Sequence, residues 1–112
     1  MELYECIRII NAWIENANGG TLAAQHDDAM RIMKISEELG EVTQAYIGFT
    51  GQNPRKGKTH TKDDVLKELA DVTVTALCAI QHFTQDPTET EKVITDKIRH
   101  IMARSPEMLE TH

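Results

Sequence analysis

The stretch TKDDVLKELADVTVTALCAIQHF, residues 61–83, decides the fold. Its apolar residues recur at steps of three and four, which is typical of one face of a helix, and further apolar residues widen that face. Thr61 and Asp64 have the spacing of a capping box, in which side-chain oxygens satisfy free amides at a helix start. The β-branched residues Val72–Thr75 follow the helical period, so we predict helix there and not a strand. The stretch therefore predicts a long central helix.

Three further helices are predicted around it, each from its own local signals. Gly19-Gly20 ends the first helix, and Asp86-Pro87 supplies an N-cap and a proline at the first position of the last helix. No repeat and no convincing strand is found, so the expected fold is an all-α, antiparallel four-helix bundle in one domain, residues 1–112. The flanking helices are expected at residues 2–18, at residues 24–49 and from Pro87 to Ser105-Pro106.

The apolar stripes of the two N-terminal helices predict which side chains enter the core. Trp13 has helical spacing from Ile10 and Ile14, which favours a core position over a stacking surface. Four helices of this length are expected to leave apolar surface exposed in a monomer, so a homo-oligomer is predicted. In the second helix the stripe consists of Ile32, Ile35, Leu39, Val42 and Tyr46.

Composition and charge exclude several classes of protein. With 40% apolar and 27% charged residues, the chain has the composition of an ordinary globular domain. No apolar run approaches the roughly 18 residues of a membrane span, and acids stand where a signal peptide has bases, so we predict a cytoplasmic protein with no membrane partner. A net charge of −6 argues against duplex nucleic acid as a partner, because neutralising phosphates needs a basic stripe.

Two clusters of acids stand on the second and third helices. In SEELGE, residues 36–41, Glu37, Glu38 and Glu41 project from neighbouring parts of one helical face. In KELADV, residues 67–72, Glu68 and Asp71 are again three residues apart. A solvated charged face is the alternative for either cluster alone. Both clusters, however, border apolar stripes, so some of the acids should face the interior of the bundle.

Converging carboxylates require a counter-charge. In a partly dry space they would raise each other's pKa sharply unless a cation balanced them. Oxygen-only ligation suits Mg²⁺ or Mn²⁺, and Mg²⁺ in proteins commonly binds substrate phosphates beside one or two carboxylates. Zinc is disfavoured because no Cys or His has ligand spacing, and a di-iron centre would need Glu-x-x-His pairs.

The paired acidic motifs resemble those of a known superfamily. Glu37-Glu38-Leu39-Gly40-Glu41, followed by Glu68-Leu69-Ala70-Asp71, is similar to the EExxE and ExxD signature of the MazG-like, all-α nucleoside triphosphate pyrophosphohydrolases. That superfamily also includes dimeric dUTPases, dCTP pyrophosphatases and phosphoribosyl-ATP pyrophosphohydrolases. The resemblance covers roughly residues 30–83 and extends weakly into the flanking helices.

The resemblance implies a reaction and a set of site residues. Glu38, Glu41, Glu68 and Asp71 would bind Mg²⁺, with Mn²⁺ as a substitute, and Glu37 would add a ligand or orient the attacking water. The substrate would be a (deoxy)nucleoside triphosphate, cleaved between the α and β phosphates to a monophosphate and pyrophosphate in nucleotide-pool clean-up. A homodimer or homotetramer with sites near subunit interfaces is implied as well. The chemistry also suits the residues themselves, because a metal lowers the pKa of bound water and a carboxylate such as Glu37 could accept its proton.

The segment GQNPRKGKT, residues 51–59, joins the two acidic helices and nearly matches a phosphate-binding P-loop. Five residues instead of four separate its first glycine from Gly-Lys-Thr, and it follows a helix instead of a strand, so a P-loop is not predicted. Arg55 could still clamp a phosphate bidentately, with Lys56 and Lys58 as point charges. The alternative is a solvated turn.

Two other functions remain open from the sequence. The chain could be a non-catalytic helical module that binds a nucleotide or a protein and uses its acids only electrostatically. It could also be a phosphoribosyl-ATP pyrophosphohydrolase, which shares the metal site within the same superfamily.

Overall fold

A computed structural model describes residues 2–18 and 24–110, and their regular structure is entirely helical. The predicted all-α class is therefore confirmed for these residues, in which no strand occurs. The predicted stop at Gly19-Gly20 lies outside the described residues. The helices are α1 (Leu3–Asn18), α2 (Ala24–Thr50), α3 (Lys62–Thr84), α4 (Pro87–Ala103) and the short α5 (Glu107–Glu110).

Helix α3 begins at the capping box that its sequence predicts. The Thr61 hydroxyl accepts a hydrogen bond from the Asp64 amide at 3.2 Å, and the Asp64 carboxylate accepts one from the Thr61 amide at 2.8 Å. The helix continues without a break through Val72–Thr75. It ends at Gln85, whose φ of 59° is left-handed and whose amide donates to the Gln81 carbonyl.

Helix α4 also begins as predicted and is joined to α3 by a buried polar contact. The Asp86 side chain accepts a hydrogen bond from the Thr88 amide at 3.0 Å, with Pro87 in the first turn. Farther into the helix, the Thr90 hydroxyl donates to the side-chain oxygen of Gln81 at 2.7 Å. Both side chains are buried, so this bond satisfies polar atoms that would otherwise lose water at a cost.

Helix α3 is the centre of the molecule. It packs against α1, α2 and α4, whereas α1 and α2 have no pair of Cα atoms within 8 Å of each other among the described residues. Buried apolar side chains are few among the described residues: Ile7, Ala45, Cys78 and Ala79. The prediction of a central third helix is confirmed, and its arrangement leaves a gap between α1 and α2.

The single chain is extended. Its radius of gyration is 17.5 Å, against about 13 Å for a compact domain of this length. Trp13 is 71% exposed, so the prediction that places it in the core is wrong for the isolated chain. Other large apolar residues are also more than half exposed, among them Leu3, Ile32, Met33 and Phe83.

No helix in the described part of the chain combines the length and the apolar character that crossing a bilayer requires.

The segment between α2 and α3 folds back on the end of α2. The Thr59 amide donates to the Gly48 carbonyl at 2.9 Å, and Gly51 and Gly57 adopt φ angles of 68° and 67°, which favour glycine. A β-carbon at Gly48 would overlap the imidazole of His60 and the hydroxyl of Thr59. The close approach of this segment to α2 therefore depends on a glycine in the helix.

Candidate functional site

Three of the predicted metal ligands meet where α2 and α3 pack together. Glu38 and Glu41 lie one turn apart on α2, and Glu68 faces them from α3. One carboxylate oxygen from each lies within 4.8 Å of the others. Glu38 and Glu68 are half-buried and Glu41 is exposed, so the acid group is partly shielded from solvent and open to it at Glu41. Asp71 is exposed one turn farther along α3 and does not belong to this group.

The donor set fits a hard divalent cation. The buried Oε2 of Glu68 finds no hydrogen-bond partner among the described residues, which is costly for a carboxylate oxygen. Two oxygens on opposite sides of one Mg²⁺ stand about 4.2 Å apart, because each bond is about 2.1 Å long. No two ligand oxygens of one Mg²⁺ can be farther apart than this, and those of the acid group lie within 4.8 Å of one another, so small side-chain rotations would let these residues hold the ion.

The Glu37 carboxylate pairs with a lysine and does not belong to the acid group. The Lys34 ammonium lies 2.9 Å from a Glu37 oxygen and 3.6 Å from Glu38. The hydrogen bond to Glu37 raises the pKa of Lys34 above its ordinary value. Glu37 is exposed and stands beside the acid group, in reach of solvent.

One of the three predicted phosphate-binding residues lines a pocket close to the acids. Lys56 contributes to a pocket of about 350 Å³ together with Gln44, Asn53 and His60. Gln44 lies one turn beyond Glu41 on α2, and none of the three acids lines the pocket itself. The two other predicted cations, Arg55 and Lys58, are exposed and do not line this pocket.

A second pocket fills the gap between α1, α2 and α3. It measures about 330 Å³, and its walls are largely apolar, with Ile10 and Ile14 from α1, Met30 from α2 and Val74 from α3. Lys34 lines this pocket and also forms an ion pair with Glu38 at 3.6 Å, so the α1–α2 pocket and the acid group are neighbours.

A buried arginine, Arg31, is one of the polar residues that line the α1–α2 pocket. The Arg31 side chain is only 7% exposed, and its Nη1 donates to the Asn11 side chain of α1 at 2.8 Å. Its Nε lies 3.5 Å from Oδ1 of Asp27, which is long for a hydrogen bond. Nε and Nη2 of Arg31 and Oδ1 of Asp27 are all buried without a hydrogen-bond partner in the described part of the chain.

Polar side chains connect α1 to α2. One ring nitrogen of His82 on α3 lies 3.0 Å from Glu15 of α1, and the other lies 2.7 Å from Asp28 of α2. Burial acts to lower the pKa of His82, but the hydrogen bonds to Asp28 and Glu15 outweigh it and raise that pKa. Burial likewise acts to raise the pKa of Glu15, whereas hydrogen bonds from Gln85, His82 and Asn11 leave it lowered.

The sequence interpretation missed Asp27, Arg31 and His82. A signal for the first two is present, because Asp27 and Arg31 have the i, i+4 spacing of an ion pair on one helical face. For His82 no comparable signal exists, since its partners lie 54 and 67 residues away.

Comparison of the chain with protein-family models, with curated proteins and with solved structures found no match.

Proposed function

We propose that the chain is a Mg²⁺-dependent nucleotide pyrophosphohydrolase of the MazG-like type, built on an antiparallel helical bundle. It would cleave the α–β bond of a (deoxy)nucleoside triphosphate, giving a monophosphate and pyrophosphate in nucleotide-pool clean-up. The observation that supports this proposal most directly is the meeting of Glu38, Glu41 and Glu68, with one buried oxygen of Glu68 left without a partner.

The residues of this chain have distinct roles in the proposed reaction. Glu38, Glu41 and Glu68 hold Mg²⁺ or Mn²⁺, and Asp71 is the fourth proposed ligand. When bound, the ion neutralises phosphate charge and lowers the pKa of a water molecule. Glu37 accepts the proton of the attacking water once its carboxylate leaves Lys34. Water oxygen then bonds to the α phosphorus while the α–β bridge breaks, and pyrophosphate is the leaving group.

The segment between α2 and α3 supplies the cations for the phosphate chain. Lys56 lines the pocket whose wall includes Gln44, one helical turn beyond Glu41, and would neutralise the departing pyrophosphate as a point charge. Arg55 and Lys58 are exposed nearby and act in the same proposal as accessory contacts. The near match to a P-loop plays no part in it.

Product analysis tests the proposal. The protein would be incubated with a panel of nucleoside triphosphates and Mg²⁺, and monophosphate and pyrophosphate would be quantified. Outer-shell changes at metal sites commonly cost about 10–100-fold, so the loss of two ligands in the Glu38→Gln, Glu68→Gln double variant should lower turnover by at least about 100-fold. The Glu89→Gln, Glu91→Gln double variant changes two exposed acids of α4 and should retain activity.

Other outcomes of the same experiment would contradict the proposal and favour the alternatives. Stabilisation by Mg²⁺ and nucleotide without any product would indicate a binding module, since a ligand that binds only the folded state raises its stability. Turnover confined to phosphoribosyl-ATP would assign that reaction instead. Undiminished turnover by the Glu38→Gln, Glu68→Gln variant would remove the acid group from the mechanism.

A further inference from the structure

We propose that the α1–α2 pocket is a nucleobase subsite in which Arg31 and Asp27 recognise a lactam edge, the neighbouring C=O and ring N–H of uracil, thymine and guanine. The inference rests on the proposed function only for the phosphate end of the ligand. Recognition of the base is a property of the pocket itself.

The dimensions and walls of the pocket suit a flat heterocycle. Its volume of about 330 Å³ is at the lower end of the range for small-molecule sites, which are mostly apolar with a few convergent polar groups. Ile10 and Ile14 form one wall, and Met30 and Val74 contribute from the other two helices. Apolar side chains on both sides can cover the faces of a ring while its edge meets the polar groups.

Arg31 offers two donors that the folded chain does not use. Its Nη1 is bound to Asn11, whereas Nε and Nη2 have no hydrogen-bond partner among the described residues. These two N–H groups form one edge of the guanidinium and point in nearly the same direction. Oδ1 of Asp27 lies 3.5 Å from Nε, and this acceptor is also buried without a hydrogen-bond partner among the described residues. Donors and acceptor thus stand side by side, buried and unsatisfied, on two residues that line the pocket, and small side-chain rotations would turn them toward a bound ring.

A lactam edge complements this arrangement better than the edges of adenine or cytosine. Its carbonyl oxygen has two lone pairs and can accept from both free N–H groups of Arg31, while the neighbouring ring N–H donates to Asp27. Adenine offers only a ring nitrogen with one lone pair to Arg31. Cytosine likewise can donate its amino N–H to Asp27, but the ring nitrogen beside that amino group offers only one lone pair to the two N–H groups of Arg31.

The position of the pocket connects it with the proposed metal centre. Arg31 precedes Glu38 by seven residues on α2, which is about 10 Å along the helix axis. Lys34 lies between them, lines the pocket and forms an ion pair with Glu38. A nucleotide with its base against Arg31 would therefore extend its phosphates toward the acids.

Binding of nucleosides without phosphate or metal tests the subsite separately from hydrolysis. Calorimetric titrations of the full chain should give at least about tenfold tighter binding of uridine and guanosine than of adenosine and cytidine. Val74→Phe fills the pocket and should weaken uridine binding at least about tenfold. Val93→Phe makes the same change on α4, at a position of similar exposure outside the pocket, and should leave binding unchanged.

Arg31→Met removes the donors at similar volume and should also abolish the base preference. If that variant does not fold, the Val74→Phe and Val93→Phe pair still decides the matter. Absence of nucleoside binding, equal binding of all four nucleosides, or full binding by Val74→Phe would overturn the subsite. Base-selective binding without hydrolysis would contradict only the proposed function, and hydrolysis with indifferent nucleoside binding would contradict only the subsite.

Discussion

His82 is the side chain through which three helices meet. It lies on α3 and is bonded to Glu15 of α1 and Asp28 of α2, with Asp27 3.9 Å away and Arg31 acting against its charge. In the protonated form both ring nitrogens donate, so both carboxylate contacts are satisfied at once. The charged imidazole therefore helps to hold α1 and α2 on α3.

Stability should fall as the pH rises through the pKa of His82. Because the folded state raises that pKa, the contribution of His82 is fully present below its unfolded pKa of about 6.5 and is lost above the folded value. The check is the free energy of unfolding from denaturant titrations between pH 6 and pH 9. His82→Gln keeps a polar side chain without titration and should flatten this dependence; an equal pH dependence in both proteins would contradict the assignment.

In α2, the sequence predicted the helix correctly but only part of the face that it buries. Of the predicted stripe, Ile35 and Val42 are half-buried, whereas Ile32, Leu39 and Tyr46 are exposed by about half or more. Arg31 and Ala45, each one residue before an exposed member of the stripe, are buried instead. Hydrophobic period alone cannot choose between adjacent stripes when a polar side chain finds a partner on another helix, as Arg31 does on Asn11, 20 residues away.

Local signals, by contrast, predicted the helix ends and part of the site. The capping box at Thr61 and the proline at Pro87 act within one turn of the chain, so their sequence pattern contains the whole interaction. The i, i+3 spacing of Glu38 and Glu41 is likewise fixed by helix geometry. Which acids of α3 face them depends on how two helices pack, and the structure brings Glu68 into the acid group without Asp71.

Two glycines of α2 should respond in opposite ways to the same substitution. A β-carbon at Gly40 meets no atom within 4 Å among the described residues, so Gly40→Ala should raise the free energy of unfolding by up to about 1 kcal/mol through better helix propensity. At Gly48 the same methyl group overlaps Thr59 and His60, and Gly48→Ala should lower it by about 1–3 kcal/mol. Denaturant titration of both variants is the measurement, and effects of the same sign would contradict this account.

The extended shape of the whole molecule suggests that it does not act as a single chain. Among the described residues, few apolar side chains are buried and many large ones are exposed, on all five helices, whereas soluble monomers rarely expose extensive apolar patches. We expect a homodimer or a homotetramer, as the sequence interpretation proposed. A second copy would cover part of this surface and complete the core.

Trp13 provides the sharpest test of this expectation, because it is the most exposed large apolar side chain among those described. Light scattering on a sizing column should give a mass that is a multiple of the chain mass for the wild type and for Trp13→Phe. Trp13→Glu should shift the protein toward the monomer and lower its melting temperature, since a charge cannot be buried there without a partner. A monomeric wild type at micromolar concentration would refute the oligomer.

The separation of α1 from α2 has a consequence for how the protein can evolve. The acid group belongs to the α2–α3 pair, whereas Ile10 and Ile14 on α1 close the pocket from the opposite side without backbone contact with α2. Substitutions on the pocket side of α1 can therefore alter which ligand fits while the acids keep their positions. Selection can thus reshape the apolar wall of the pocket through α1 while the polar groups of α2, Arg31 and Asp27, stay in place beside the acids.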